Sequence, residues 1–134
     1  MTPESAKAAG AILVSKNDLF ERSDILTIHL VLSSRTRGLV GAAELRRMKP
    51  TAWLINASRG PIIDEQALIN ALKNKQIAGA AIDVFDTEPL PPNHPFRTLD
   101  NVLATPHIAY GTQSLYKTFF EDTVSNIRKW LDTH

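Results

Sequence analysis

The chain of 134 residues contains no cysteine. Disulfide scaffolds, thiolate zinc sites and cysteine nucleophiles are therefore excluded. No apolar run approaches the roughly 18 residues of a membrane span. The opening Met1-Thr2-Pro3-Glu4-Ser5-Ala6-Lys7 has no apolar core of the kind a secretory leader carries, and the expected compartment is cytoplasmic. Charge of one sign is also missing: 15 Lys and Arg face 14 Asp and Glu, and no basic block exceeds Arg46-Arg47-Met48-Lys49. Neither a nucleic-acid groove nor an anionic-membrane patch is indicated. What remains is 43% hydrophobic and 22% charged, the balance of an ordinary globular domain.

Four apolar runs organise the chain: Ile25 to Leu32, Ala52 to Ile55, Gly79 to Ile82 leading into Asp83-Val84-Phe85, and Val102 to Ala104. Lacking strict alternation, they suit parallel strands covered on both faces. A shorter candidate strand, Ala11 to Val14, precedes them. Helical patterns lie between. Ser15 with Asp18 resembles a capping box opening a helix through Arg22, and Ala42 to Met48 favours helix until Pro50 stops it. Asp64 is a good N-cap for a helix carrying Leu68, Ala71 and Leu72 on one face. The longest helix is predicted over Thr112 to Asp132, with Leu115, Phe119, Phe120, Val124, Ile127, Trp130 and Leu131 forming an apolar face that needs a partner. Alternating strand and helix indicate an α/β, doubly wound parallel sheet. Residues 86–101 break the alternation, holding four of the eight prolines, and a long ordered loop in a compact domain is often functional.

In such sheets ligands bind beyond the carboxyl ends of the strands. Those ends carry Asn56-Ala57-Ser58-Arg59-Gly60-Pro61, Asp83 to Pro89, and Thr105-Pro106-His107-Ile108. Arg59 offers a fork matched to a carboxylate, and His107 titrates near neutrality and suits proton transfer. Glu88 is the better placed partner for that imidazole, and Asp83 could accept hydrogen bonds from an amide-bearing ligand. Each residue reads two ways: Arg59 also suits a rim ion pair with Asp86 or Glu88, Asp83 a local turn, and His107 a structural or solvated role. His29, inside the first run, reads as a satisfied core histidine, His94 and His134 as solvated, and Arg35 and Arg37 as surface charge. A receiver-like phosphoacceptor domain would need clustered acids after the first strand, where Leu32-Ser33-Ser34 stands.

These motifs, with Ile63-Asp64-Glu65, Ala80 to Phe85 and Glu88-Pro89, resemble in order and spacing the D-isomer-specific 2-hydroxyacid dehydrogenases from about Ser23 onward. The resemblance implies a partial Rossmann-like sheet that exchanges hydride between NAD, with NADP open, and a small 2-hydroxy or 2-keto acid. It implies that Arg59 holds the substrate carboxylate, that His107 moves the proton, and that Glu88 hydrogen-bonds His107 and favours its charged form. Asp83 would bind the nicotinamide end, while Val31, Ala57, Ser58, Ala109 and Tyr110 would line the cofactor pocket. Two departures stand out: Ala109-Tyr110 where many members have glycines, and Val31 where proline is frequent. The six glycines, at 10, 38, 41, 60, 79 and 111, contain no Gly-x-Gly-x-x-Gly spacing, so the pyrophosphate cradle is missing. Residues 1–110 are accordingly expected to be the C-terminal part of an NAD-binding domain, and 111–134 a terminal helix packing on a substrate domain. A fragment of a homodimeric enzyme, inactive alone, is the primary expectation. A non-catalytic dinucleotide-binding or dimerisation module of the same descent is the alternative.

Overall fold

The structure, a computed structural model, describes residues 2–133; His134 lies outside them. Four strands, β1 (Ile25–Ile28), β2 (Trp53–Asn56), β3 (Gly79–Ile82) and β4 (Val102–Ala104), form one parallel sheet in the order β1-β2-β3-β4. The helices are α1 (Pro3–Ala8), α2 (Lys16–Arg22), α3 (Ala42–Leu45), α4 (Glu65–Lys73) and α5 (Gln113–Thr133), with 3-10 turns at Gly60–Ile62 and Pro95–Arg97. Parallel neighbours need crossovers, and α3 and α4 supply two of them.

Local chemistry sets the helix starts. The Ser15 hydroxyl accepts the Asp18 N–H (3.1 Å) at the head of α2. The reciprocal half of a capping box is absent there, because the same hydroxyl donates to the Asp18 carboxylate (2.6 Å). Asp64 caps α4 by accepting the Ala67 N–H (3.0 Å), and α4 buries Leu68, Ile69, Ala71 and Leu72. Those side chains join Leu26, Ile28, Leu45, Leu54, Ala80 and Ile82 in the core.

Three expectations are corrected. Ala11 to Val14 joins no sheet, the Ala11 N–H instead closing the end of α1 on Ala6 C=O (2.9 Å), so it is no strand. The first apolar run is a strand only to Ile28, beyond which Leu30 and Val31 are exposed, and His29 is a surface residue touching the Thr27 hydroxyl (3.0 Å). The sheet is buried on one face only. Leu26, Leu54 and Ala80 point into the core, while Ile25, Trp53 and Leu103, on the opposite pleat, remain exposed. On that second face Gly79 lies under the Trp53 ring, where an added Cβ would come within 2.6 Å of it. Helix α5 likewise has no buried residue.

Candidate active site

Backbone pairing continues beyond the strand ends and fixes the loops there. Asp83 N–H donates to Asn56 C=O (3.0 Å), Thr105 N–H to Ile82 C=O (3.0 Å), and His107 N–H to Asp83 C=O (2.8 Å). Three loops far apart in sequence thus emerge side by side at the carboxyl edge of β2, β3 and β4.

The β2 loop is held from within. Asn56, 1% exposed, donates from its side-chain amide to Arg59 C=O (3.0 Å) and accepts Ser58 N–H (3.0 Å). The Ser58 hydroxyl donates to Ile28 C=O (2.7 Å), stitching the loop to β1. Arg59 is therefore presented from a rigid base, and its exposed guanidinium donates to Ser58 C=O (2.6 Å). It forms no ion pair with Asp86 or Glu88, so the rim-pair alternative is not what the structure shows. Gly60 sets the spacing to the next loop: a Cβ there would stand 2.1 Å from the Phe85 carbonyl carbon.

The β3 and β4 loops meet at a hydrogen-bonded carboxylate–imidazole pair. His107 Nδ1 lies 2.8 Å from Glu88 Oε2, and Glu88 Oε1 accepts Phe85 N–H (3.0 Å). The hydrogen bond from His107, then the Phe85 amide, with Arg59 contributing last, hold the Glu88 carboxyl below its ordinary range. Arg59 is thus electrostatically coupled to the pair. Nε2 of His107 has no hydrogen-bond partner among the described residues and is available to a ligand. His107 adopts a left-handed backbone (φ 58°), a conformation that costs a non-glycine residue of order 1 kcal/mol. The pairing of its N–H with Asp83 C=O and of its ring with Glu88 offsets that strain.

Asp83 is buried at the centre. Oδ1 accepts the Thr105 hydroxyl (2.6 Å) and Ile108 N–H (2.9 Å), and Oδ2 accepts Ala109 N–H (2.9 Å). Burial pushes its carboxyl up, but the Thr105 hydroxyl and the Ala109 and Ile108 amides outweigh it and leave the group below its ordinary value. Asp83 is thus the organiser of the His107 loop, and one lone pair on Oδ2 remains for a further donor. Of the other expected lining residues, Val31, Ala57, Ala109 and Tyr110 are exposed and Ser58 is half-buried. A cavity of about 800 Å³ beside the pair is lined by Phe85, Glu88, Leu90, Phe96, Val102 and His107, among others.

Two structural roles were not assigned from sequence. Asn56 and Thr105 stood in the motifs only as neighbours. A polar residue ending a buried apolar strand was the available signal, since such a group must find partners. His94, read as solvated, is instead mostly buried and bonded to Glu65 (3.0 Å).

The parallel sheet, with a guanidinium, a carboxylate–imidazole pair and a buried aspartate at its carboxyl edge, is a Rossmann-like α/β fold. Residues 1–109 match the family described as D-isomer specific 2-hydroxyacid dehydrogenase, NAD binding domain, and the chain belongs to that family. It is 55% identical to a glyoxylate reductase of Thermofilum pendens over 94 residues, 70% of this chain and 28% of that protein. A glyoxylate reductase of Aeropyrum pernix is 50% identical over 110 residues, 82% of this chain and 33% of the relative. Among solved structures, a phosphoglycerate oxidoreductase of Vibrio cholerae superposes with a TM-score of 0.82 at 32% identity, over 98% of this chain and 42% of that one. A D-isomer specific 2-hydroxyacid dehydrogenase of Xanthobacter autotrophicus in complex with NADPH and MES superposes with a TM-score of 0.67 at 45% identity, covering 69% of this chain and 30% of that one. The chain spans about a third of the length of the curated relatives it matches.

Proposed function

We propose that this chain supplies the catalytic half of an NAD-dependent 2-hydroxyacid dehydrogenase, with residues 1–110 the C-terminal part of its NAD-binding domain and α5 the helix that packs on a substrate domain. The observation that carries the reading is the 2.8 Å Glu88–His107 pair with Nε2 left open, its carboxylate also feeling the charge of Arg59. The residues present fit the nicotinamide end of the cofactor: Asp83 keeps one acceptor position for a carboxamide N–H, and Val31, Ala57, Ser58, Ala109 and Tyr110 would line its surroundings. They do not include a Gly-x-Gly-x-x-Gly cradle for the pyrophosphate. When bound, NAD or NADP supplies the hydride acceptor or donor.

The geometry supports the following roles. Arg59 binds the substrate carboxylate in a fork and draws electron density toward the neighbouring carbonyl. His107 gives a proton from Nε2 to the developing alkoxide in reduction and takes it back in oxidation. Glu88 on Nδ1 stabilises the imidazolium and fixes which nitrogen faces substrate. The setting is expected to be a cytoplasmic homodimer. One observation, the exposed apolar face of α5, favours a non-catalytic dimerisation module instead.

A chimera separates the two. Residues 1–134 replace the matching part of the Thermofilum pendens glyoxylate reductase, and NADH- or NADPH-linked reduction of glyoxylate and other short 2-keto acids is measured. Activity is expected, and His107→Asn should lower kcat by roughly 10²–10⁴-fold, the usual worth of a positioned acid–base group. A folded chimera that binds NADH but turns over no 2-keto acid would refute the catalytic reading.

A further inference from the structure

The loop that carries Glu88 is gripped at both feet by one carboxylate. Glu65, in the first turn of α4, accepts Asp86 N–H on Oε2 (3.3 Å) and pairs through Oε1 with His94 Nε2 (3.0 Å). Asp86 lies two residues before Glu88 and His94 six residues after it. Both partners of the far grip are sheltered, with side-chain exposures of 13% for His94 and 22% for Glu65. His94 is oriented as well as paired. Its Nδ1 accepts Phe96 N–H (3.2 Å), so the neutral ring carries its proton on Nε2, facing Glu65. The ring leans on Phe96 at 4.8 Å between centroids, and Phe96 lies against Phe85 at 6.3 Å. Phe85 is the residue whose N–H holds the other oxygen of Glu88. The anchor itself is firm, because α4 buries Leu68, Ile69, Ala71 and Leu72 in the core.

We infer that Glu65 is a positioning residue for the Glu88–His107 pair, with His94 as its handhold on the far side of the loop. The inference deepens the proposed function and rests on its reading of Glu88 and His107 as the acid–base pair. The physical need is plain. Arg97 ties the far side of the loop by donating to Leu90 C=O (2.7 Å) and Pro91 C=O (2.9 Å), but the exposed tip that bears Glu88 needs anchoring on both sides, because proton transfer tolerates little displacement of the carboxylate. Two hydrogen bonds to one rigid helix restrict the loop at both ends and leave Glu88 little room to leave the imidazole.

The test is the NMR titration of the Glu88 side-chain carboxyl in the 134-residue chain, a signal that tracks its contact with His107. His107→Asn sets the scale, since it removes the partner and should move the Glu88 midpoint up toward the ordinary glutamate value. Glu65→Ala and His94→Asn should each reproduce at least about half of that shift, because the hydrogen bond to His107 is what the grip protects. His94→Gln should leave the midpoint near wild type. Its amide nitrogen takes the place of Nε2 and still donates to Glu65, whereas asparagine keeps only an acceptor for Phe96 N–H. A merely structural histidine that serves to cap Phe96 would give the reverse order, asparagine tolerated and glutamine not. That order, or an unmoved midpoint in both Glu65→Ala and His94→Asn, overturns the grip and leaves the acid–base pair standing. If His107→Asn itself leaves Glu88 unmoved, the pair does not exist in solution, and the functional reading falls with the inference.

Discussion

Asp83, largely buried, brings two carboxylate oxygens to three donors, Thr105 Oγ1, Ile108 N–H and Ala109 N–H. Asparagine has nearly the same shape but replaces one oxygen with a donor. Whichever way the amide turns, at least one N–H of the His107 loop then faces another N–H. Asp83→Asn should therefore destabilise the chain by about 2–3 kcal/mol in urea unfolding, the cost of a lost charged hydrogen bond and a stranded buried donor. The sign of its pH dependence follows from the depressed carboxyl. A lowered folded value means that the contribution is complete above the unfolded value near about pH 4 and is lost as pH falls through the folded one. The gap between wild type and variant should close in acid. Asp86 behaves oppositely. Burial first, then the charge of Glu65 and, more weakly, Asp64, raise its carboxyl, with Arg37 and His94 pulling it down. A raised folded value makes ionised Asp86 unfavourable at neutral pH. Asp86→Asn should then raise Tm by about 1–2 °C at pH 7 and by nothing once the wild-type group is protonated, small because the side chain is sheltered only in part. A lower Tm at pH 7 would contradict this.

At the level of elements, Gly60 joins the Arg59 turn to the Glu88 loop through direct backbone contact. A methyl at Gly60 would meet Phe85 C at 2.1 Å, Phe85 O at 2.2 Å and Asp86 N at 2.7 Å, all main chain. No rotamer change relieves that overlap, so the loops must part. Gly60→Ala should cost more than about 2 kcal/mol in denaturant unfolding. It should also weaken the effect of Arg59 on the Glu88 carboxyl, visible as an upward move of the Glu88 titration. Little of this contact was legible in sequence, where nothing in residues 56–61 names Phe85 as the neighbour of Gly60. Other elements were fully legible. Ser15 and Asp64 announced α2 and α4 because capping is decided by residues three apart. The strand ends bearing Arg59, Asp83 and His107 were placed side by side by topology, since parallel strands all finish at one edge. Pairings that depend on distant partners were not. Ala11 to Val14 has strand composition but no neighbour to pair with, and His94 meets a glutamate 29 residues earlier. One-sided burial of the sheet escaped for the same reason: a strand's residue types say that it wants cover, and its tertiary neighbours decide whether it gets it.

For the whole molecule, two large apolar surfaces face outward, the second face of the sheet at Ile25, Trp53 and Leu103, and α5 at Phe119, Phe120, Val124, Ile127 and Leu131. Cofactor affinity should reflect the half-site. Without glycine-rich amides to hold the pyrophosphate, the 134 residues should bind NAD weakly, and calorimetry giving tight stoichiometric binding would contradict that. Association should reflect the helix. Apolar side chains four and seven residues apart, such as Phe120, Val124 and Ile127, lie along one side of α5, and contiguous exposed patches of this kind mark interaction surfaces. Charges placed there should oppose burial against any partner without disturbing the chain's own core, because α5 contributes nothing to it. Light scattering of the chain is expected to give twice its single-chain mass of 14.8 kDa, and Phe120→Glu combined with Ile127→Glu should return it to 14.8 kDa with an unchanged melting profile of the sheet. A wild-type chain that remains at the single mass across the accessible concentration range would contradict self-association through α5.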